Sequence, residues 1–190
     1  SDVYKRQVST RANPLTDAFC LTGLKLVAQS LRRAFENGKD VLARQDMSLA
    51  SLLSGLALAN AGLGAVHGFA APIGGAFRAP HGALCAALLP AVMEVNIKIL
   101  RSTSPQHSAL TRYQQIAEVL TGRTGESAEQ GIEWVRQLGE YLRIPRLSGF
   151  GITHRDIPSL VERAAKASSM KTNPVTLSSA ELEEILLKAL

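Results

Sequence analysis

Two histidines in one apolar segment are the residues of this chain whose types and spacing could do chemistry. The segment AVHGFAAPIGGAFRAPHGALC runs from Ala65 to Cys85 and contains His67 and His81. Neutral imidazoles are good ligands for Fe(II) or Zn(II), and two of them with a carboxylate would suit such a divalent ion. From the residues alone, three interpretations are open: metal ligands, polar positions on a membrane hairpin, or core histidines each satisfied by one hydrogen bond.

The elements around the two histidines are expected to bring them to the same core. A buried helix is predicted from about Ser48 to His67, because leucines recur there at spacings of three and four. Residues 69–79 contain proline and glycine and are predicted as a loop, and the next helix is predicted to begin at Pro80-His81. Another face of the first helix has small residues that would let a neighbouring helix approach closely: Ser51, Gly55, Ala59 and Gly62.

The rest of the chain alternates amphipathic helical patterns with breaks and shows no alternating strand pattern. Hydrophobic residues make up 46% and aromatic residues only 5%, with alanine and leucine dominant, which favours helices over strands. We therefore predict an all-α, multi-helix domain of about seven helices around a buried helix rich in Ala, Leu and Gly. Helix starts are indicated by capping residues at Asn13-Pro14, Thr153 with Asp156, and Ser178 with Glu181.

The distribution of charge and the positions of the cysteines exclude several classes of protein. The formal net charge is +5, but the basic residues are spread along the chain without interleaved aromatics, so no nucleic-acid partner is expected. Cys20 and Cys85 form no CxxC pair, which excludes a disulfide scaffold or a zinc finger and favours a reducing cytoplasm. Both cysteines are interpreted as small buried hydrophobes.

One uncharged stretch is long enough to raise the question of whether the chain crosses a membrane. No Asp, Glu, Lys or Arg occurs from Met47 to Phe77, a length sufficient to cross a bilayer. The stretch contains Asn60 and His67, however, and has no aromatic belt or flanking basic cluster. A buried helix is the better interpretation, and no membrane partner is expected.

The segment NAGLGAVHGFAAPIGGAFRAPHGALCAALLPAVMEVN resembles the signature region of the iron-containing alcohol dehydrogenase family. The resemblance continues upstream through STRANPLTDAFCLTGLKLVAQSL and downstream to MKTNPVTLSSAELEEILLKAL, and thus covers Val8 to Leu190. Residues 1–7, SDVYKRQ, do not match and are interpreted as a foreign or truncated leader.

The resemblance implies the helical C-terminal domain, residues 8–190, of a two-domain enzyme. In this family an N-terminal α/β domain binds NAD(P), and an Asp and three His hold a divalent metal, usually iron or zinc, between the domains. His67 and His81 match the last two of those histidines. The implied activity of the intact enzyme is metal-assisted hydride transfer between a small alcohol or aldehyde and the nicotinamide.

The chain also departs from the family pattern. The family's Asp-x3-His pair would fall on Asp2 and on a position before Ser1, so neither ligand is present, and no G-x-G-x-x-G motif marks a nucleotide domain. Many members have a further histidine, implicated in proton transfer, where this chain has Ala71. We therefore expect this chain to lack the cofactor domain, to hold a metal weakly if at all, and to be inactive alone. We also expect it to form a homo-oligomer through exposed apolar surface.

An alternative from another class is a helical, dimeric interaction or regulatory module with His67 and His81 as core residues. Two interpretations are open for Phe77 and Arg78: they line the substrate cleft, or they are an ordinary loop phenylalanine and a solvated arginine. Asp17 is interpreted as structural, and His107 and His154 as surface residues.

Overall fold

The computed structural model describes residues 8–190, so the predicted leader at 1–7 lies outside the described residues. The described part consists of helices without a strand, which confirms the all-α class. The α-helices are α1 (Pro14–Glu36), α2 (Val41–Ala61), α3 (Ala65–Ala76), α4 (His81–Thr103), α5 (Ser108–Thr121), α6 (Ala128–Tyr141), α7 (Ile157–Ala165) and α8 (Ser179–Ala189). Short 3-10 helices occupy Leu147–Phe150, His154–Asp156 and Ser168–Thr172. The three predicted capping sites are all observed.

Helix α4 is the buried helix around which the others pack. It contacts α3, α5, α6 and α8, and its buried side chains point to nearly all sides. Pro90 lies inside α4 without ending it. By length and composition α4 could span a membrane, but 67% of its most apolar window is buried inside the protein, as in a core helix.

Charged side chains at the surface tie α4 to two of its neighbours. The Glu94 carboxylate of α4 accepts a hydrogen bond from Lys188 of α8 at 2.7 Å and pairs with Arg136 of α6. The hydrogen bond from Lys188 and the charges of both cations hold the pKa of Glu94 below its usual range. The carboxylate therefore stays ionised and keeps both neighbours attracted to α4 at neutral pH.

The predicted helix from Ser48 to His67 is helical as far as Ala61, but its predicted end is wrong, because the chain bends sharply before His67. Helix α2 ends at Ala61, and the axis of α3 is turned by 102° relative to it. His67 therefore lies in the first turn of α3 and not at the end of the preceding helix.

The predicted loop at 69–79 is also mostly wrong, because α3 extends to Ala76 with Pro72 inside it. Proline removes one backbone hydrogen bond and glycine weakens a helix, so the local sequence disfavours this conformation. Phe69, Pro72 and Ile73 are buried, however. Tertiary packing of an apolar helix face outweighs the low intrinsic propensity.

Helix α2 packs through alanines and exposes the leucines that were predicted to be core. Its buried residues recur every seven positions at Ala43, Ala50 and Ala57, and α2 packs extensively on α1. The face of small residues is open around Gly55, where an added Cβ would have no described atom from another part of the protein within 4 Å. Of the leucines predicted to be core, Leu49, Leu52 and Leu56 are exposed, with 44%, 59% and 42% of their surface accessible. The small alanine side chains let the backbones of α1 and α2 approach closely. The spacing of apolar residues alone does not show that the alanine face, and not the leucine face, is the one that packs.

The bend between α2 and α3 depends on Gly62. This residue has φ +73° and ψ −163°, a backbone conformation that is accessible essentially to glycine only. A Cβ at this position would lie 3.2 Å from Oγ1 and Cγ2 of Thr172. The Thr172 hydroxyl in turn donates a hydrogen bond to the carbonyl of Leu63, so the bend is held against the 168–172 segment.

We predict that Gly62→Ala lowers the free energy of unfolding by about 1–3 kcal/mol, because alanine is strained at positive φ. Gly55→Ala is the matched control on the same helix, where the new methyl group meets no described atom. That change should raise the free energy of unfolding by about 0.5–1 kcal/mol, since alanine is the better helix former. Urea denaturation measures both, and similar effects of the two changes would contradict the role given to Gly62.

Candidate metal centre

The structure brings His67 and His81 together at the contact between α3 and α4. The centroids of the two imidazole rings are 5.1 Å apart and the ring planes are inclined by 54°. His67 is the third residue of α3, and His81 is the first residue of α4. The expected convergence of the two side chains is thus observed, although a helix and not a loop forms most of the connection.

A buried hydrogen-bond network holds the beginning of α3, where His67 lies. The Asn173 carbonyl oxygen accepts from the backbone N–H of Ala65, the first residue of α3, at 3.2 Å. The Asn173 amide nitrogen donates to the Asn96 side chain at 2.9 Å and to the carbonyl of Val175 at 2.8 Å. Asn96 also donates to the hydroxyl of Tyr113, whose pKa is raised by burial, so that it stays protonated. The network ties α3 to α4 and α5, and so fixes the position of His67.

Helix α4 contributes a second potential ligand atom one turn after His81. Residues four apart on a helix lie on the same face, and Cys85 follows His81 at this spacing. The Cys85 Sγ lies 3.5 Å from the His81 Nε2. Together with His67 they form a cluster whose three ligand atoms all lie within 4.8 Å of one another.

The cluster lies at the boundary between core and solvent. Cys85 is buried, His67 is half-buried and His81 is exposed. An exposed His81 does not fit the alternative in which both histidines pack in the core. A site with one apolar side and one accessible side is instead suited to binding an ion that a substrate must reach.

Cys85 is the residue of this cluster that sequence reasoning missed. It was interpreted as a small buried hydrophobe, and it is indeed only 1% exposed. The available signal was the H-x3-C spacing within a predicted helix, which places both side chains on one face. That signal could not show that the same face would meet His67.

The other candidate residues lie outside this cluster. Asp17 forms an ion pair with Arg112 of α5 at 3.1 Å, and burial raises the pKa of its carboxyl group although Arg112 acts in the opposite direction. His107 is half-buried, contrary to the surface position predicted for it, because its Nδ1 accepts from the N–H of Ala109 and caps α5. The remaining positions are a half-buried Phe77 that packs on the core, an exposed Arg78 and an exposed His154.

Comparison with known proteins gives one consistent result. Residues 4–190 match the family described as "Fe-containing alcohol dehydrogenase family, C-terminal". The chain is 38% identical over 183 residues to alcohol dehydrogenase 4 of Saccharomyces cerevisiae, which covers 96% of this chain and 46% of the yeast protein. It is 34% identical over 188 residues to 1,3-propanediol dehydrogenase of Citrobacter freundii, with the same coverage.

A solved structure shows the same fold. The alcohol dehydrogenase from Oenococcus oeni superposes with a TM-score of 0.90 at 33% sequence identity, over 100% of this chain and 49% of that one. The chain therefore spans about half the length of the relatives that it matches.

We predict that Asn173→Ala lowers the free energy of unfolding by about 2–4 kcal/mol, because the buried N–H of Ala65 and the Asn96 amide both lose a partner. Asn60→Ala is the control, because Asn60 is exposed on α2 and its side-chain amide donates to the carbonyl of Leu56 in the same helix. This control should change the free energy of unfolding by less than about 0.5 kcal/mol. Urea denaturation of both variants tests the network, and a small effect of Asn173→Ala would contradict it.

Proposed function

Because the chain belongs to the iron-containing alcohol dehydrogenase family, we propose that it is the metal-binding C-terminal half of an NAD(P)-dependent alcohol dehydrogenase. The proposed substrates are small alcohols and the corresponding aldehydes, in line with the names of the yeast and Citrobacter relatives. NAD(P) would be bound by other parts of the intact enzyme, since these 190 residues contain no Gly-rich phosphate-binding motif.

The proposed ligands of the divalent metal, iron or zinc, are His67 and His81. The observation that supports this assignment is the convergence of the two imidazoles, 5.1 Å between ring centroids, at a partly accessible site. Imidazole nitrogen is a common donor to both ions. When bound, the metal would supply Lewis-acid stabilisation of the negative charge that develops on the alcohol or carbonyl oxygen during hydride transfer.

The residues around the two histidines determine how polar the site is and which groups could accept a proton there. Phe69 and Ile73 of α3 and Leu84 of α4 are fully buried, so the inner side of the contact between these helices is apolar and excludes water. A low local dielectric strengthens electrostatic interactions at such a site. Ala71, one turn after His67, is exposed and has no group that exchanges protons. The proton of the alcohol would therefore leave through a different group from the one that many family members use.

We predict that His67→Ala and His81→Ala each reduce the metal content of the purified chain to less than about a tenth of the wild-type value, because each removes a direct ligand. His154→Ala is the matched control, since His154 is exposed and lies outside the cluster. Elemental analysis after loading with Zn(II) or anaerobic Fe(II) gives the stoichiometry. Unchanged metal content in both ligand variants would refute the assignment.

The isolated 190-residue chain is proposed to be a cytoplasmic protein that is inactive in hydride transfer and self-associates. Large apolar side chains are exposed on α1 and α2, among them Phe35 and Leu52. Exposed apolar patches promote association between copies. Light scattering should therefore give a mass above that of one chain, and nicotinamide absorbance should stay constant with an alcohol and NAD(P). A monomer would contradict the self-association, and turnover would contradict the inactivity.

A further inference from the structure

The cluster at the contact of α3 and α4 contains a sulfur donor in addition to the two imidazoles. The Cys85 Sγ lies 3.5 Å from the His81 Nε2, and both lie within 4.8 Å of a ring nitrogen of His67. The ligand set implied by the family resemblance consists of a carboxylate and imidazoles and includes no thiol. Cys85 is therefore a potential donor in addition to that implied set.

The distances agree with those between ligands of one metal ion. In a tetrahedral zinc site, metal–nitrogen bonds of about 2.0–2.1 Å and a metal–sulfur bond of about 2.3 Å place nitrogen and sulfur about 3.5 Å apart. The His81–Cys85 pair already has this separation. The wider separations to His67 would have to shorten by at most about 1.5 Å to reach the same geometry. Small side-chain rotations of exposed His81 and half-buried His67 can provide this.

The donor atoms also suit the charge of a divalent cation. Neutral imidazoles bring no negative charge to the ion, and a cation in a partly buried site is stabilised by a nearby anion. A thiolate supplies one negative charge at the buried side of the cluster, where Cys85 is 1% exposed. As the sulfur–metal bond forms, the thiol proton leaves to solvent, so atoms and charge balance without an oxidant or reductant.

We propose that Cys85 is a third protein ligand, so that this chain binds a divalent ion through His67, His81 and the Cys85 thiolate. The proposal rests on the proposed function in that it uses the same two histidines. A thiolate and two imidazoles favour Zn(II) or Co(II) over Mg(II) and Mn(II), which prefer oxygen ligands.

The test is a titration of the reduced 190-residue chain with cobalt(II) chloride, followed by absorption spectroscopy. A cobalt–thiolate bond gives a near-ultraviolet charge-transfer band, whereas imidazole ligation alone gives only the weaker visible d–d bands. The chain has two cysteines, so the Cys20→Ser variant retains Cys85 as its sole thiol. We expect this variant to show the charge-transfer band at one equivalent of cobalt. This measurement leaves Cys85 untouched and does not depend on how a substitution there affects folding.

The Cys85→Ser variant gives the complementary measurement. It should lose the charge-transfer band and bind cobalt(II) about 100-fold more weakly, because loss of even an outer-shell partner of a metal ligand costs about 10–100-fold in affinity. Circular dichroism on heating shows whether this variant is folded. If it is not, Cys85→Ala replaces it, since alanine is a small apolar residue with high helix propensity.

The outcomes separate this inference from the proposed function. A charge-transfer band in Cys20→Ser that is absent from Cys85→Ser supports Cys85 as a ligand. Visible d–d bands without a charge-transfer band in Cys20→Ser would overturn the inference and leave His67 and His81 as the metal ligands. Failure of the wild-type chain to bind cobalt(II) would overturn the inference but not the function proposed for the intact enzyme, because the family resemblance implies two metal ligands beyond His67 and His81.

Discussion

The contact between the 168–173 segment and the beginning of α3 is the constraint on which the candidate site depends. Thr172 donates to the carbonyl of Leu63, and Asn173 accepts from the N–H of Ala65, so both sides of the bend are hydrogen-bonded to the same short segment. Gly62 permits the bend because it tolerates a positive φ. This contact fixes where α3 begins and therefore where His67 lies relative to His81.

The same arrangement explains why a short helix of unfavourable composition is stable. Helix α3 contains Pro72 and three glycines in twelve residues, and isolated it would not form. It is stabilised by burial of one apolar side against α4 and α7 and by the polar network at its start. Two different kinds of interaction thus fix the helix: hydrogen bonds determine where it begins, and apolar packing determines which side faces inward.

The exposure gradient across the cluster is a consequence of that geometry. His81 stands at the first position of α4 and remains exposed, whereas Cys85 is one turn deeper and is buried by the surrounding helices. One turn of α4 therefore separates the His81 nitrogen, which lies near solvent, from the Cys85 sulfur, which lies near the core. A cation held between them would be accessible from one side and shielded on the other, which is the arrangement that a reacting oxygen requires.

The sequence by itself determined the all-α class, the capped starts of three helices and the two histidines, because capping residues and amphipathic spacing are local signals. The resemblance of the segment around His67 identified the family, which the comparison confirmed. Only the tertiary structure decided that α2 packs through Ala50 and Ala57 rather than its leucines, that residues 65–76 are helical, and that Cys85 joins the two histidines. Each of these depends on contacts between residues distant in the chain, and such packing can override local propensity, so that local patterns alone do not predict it.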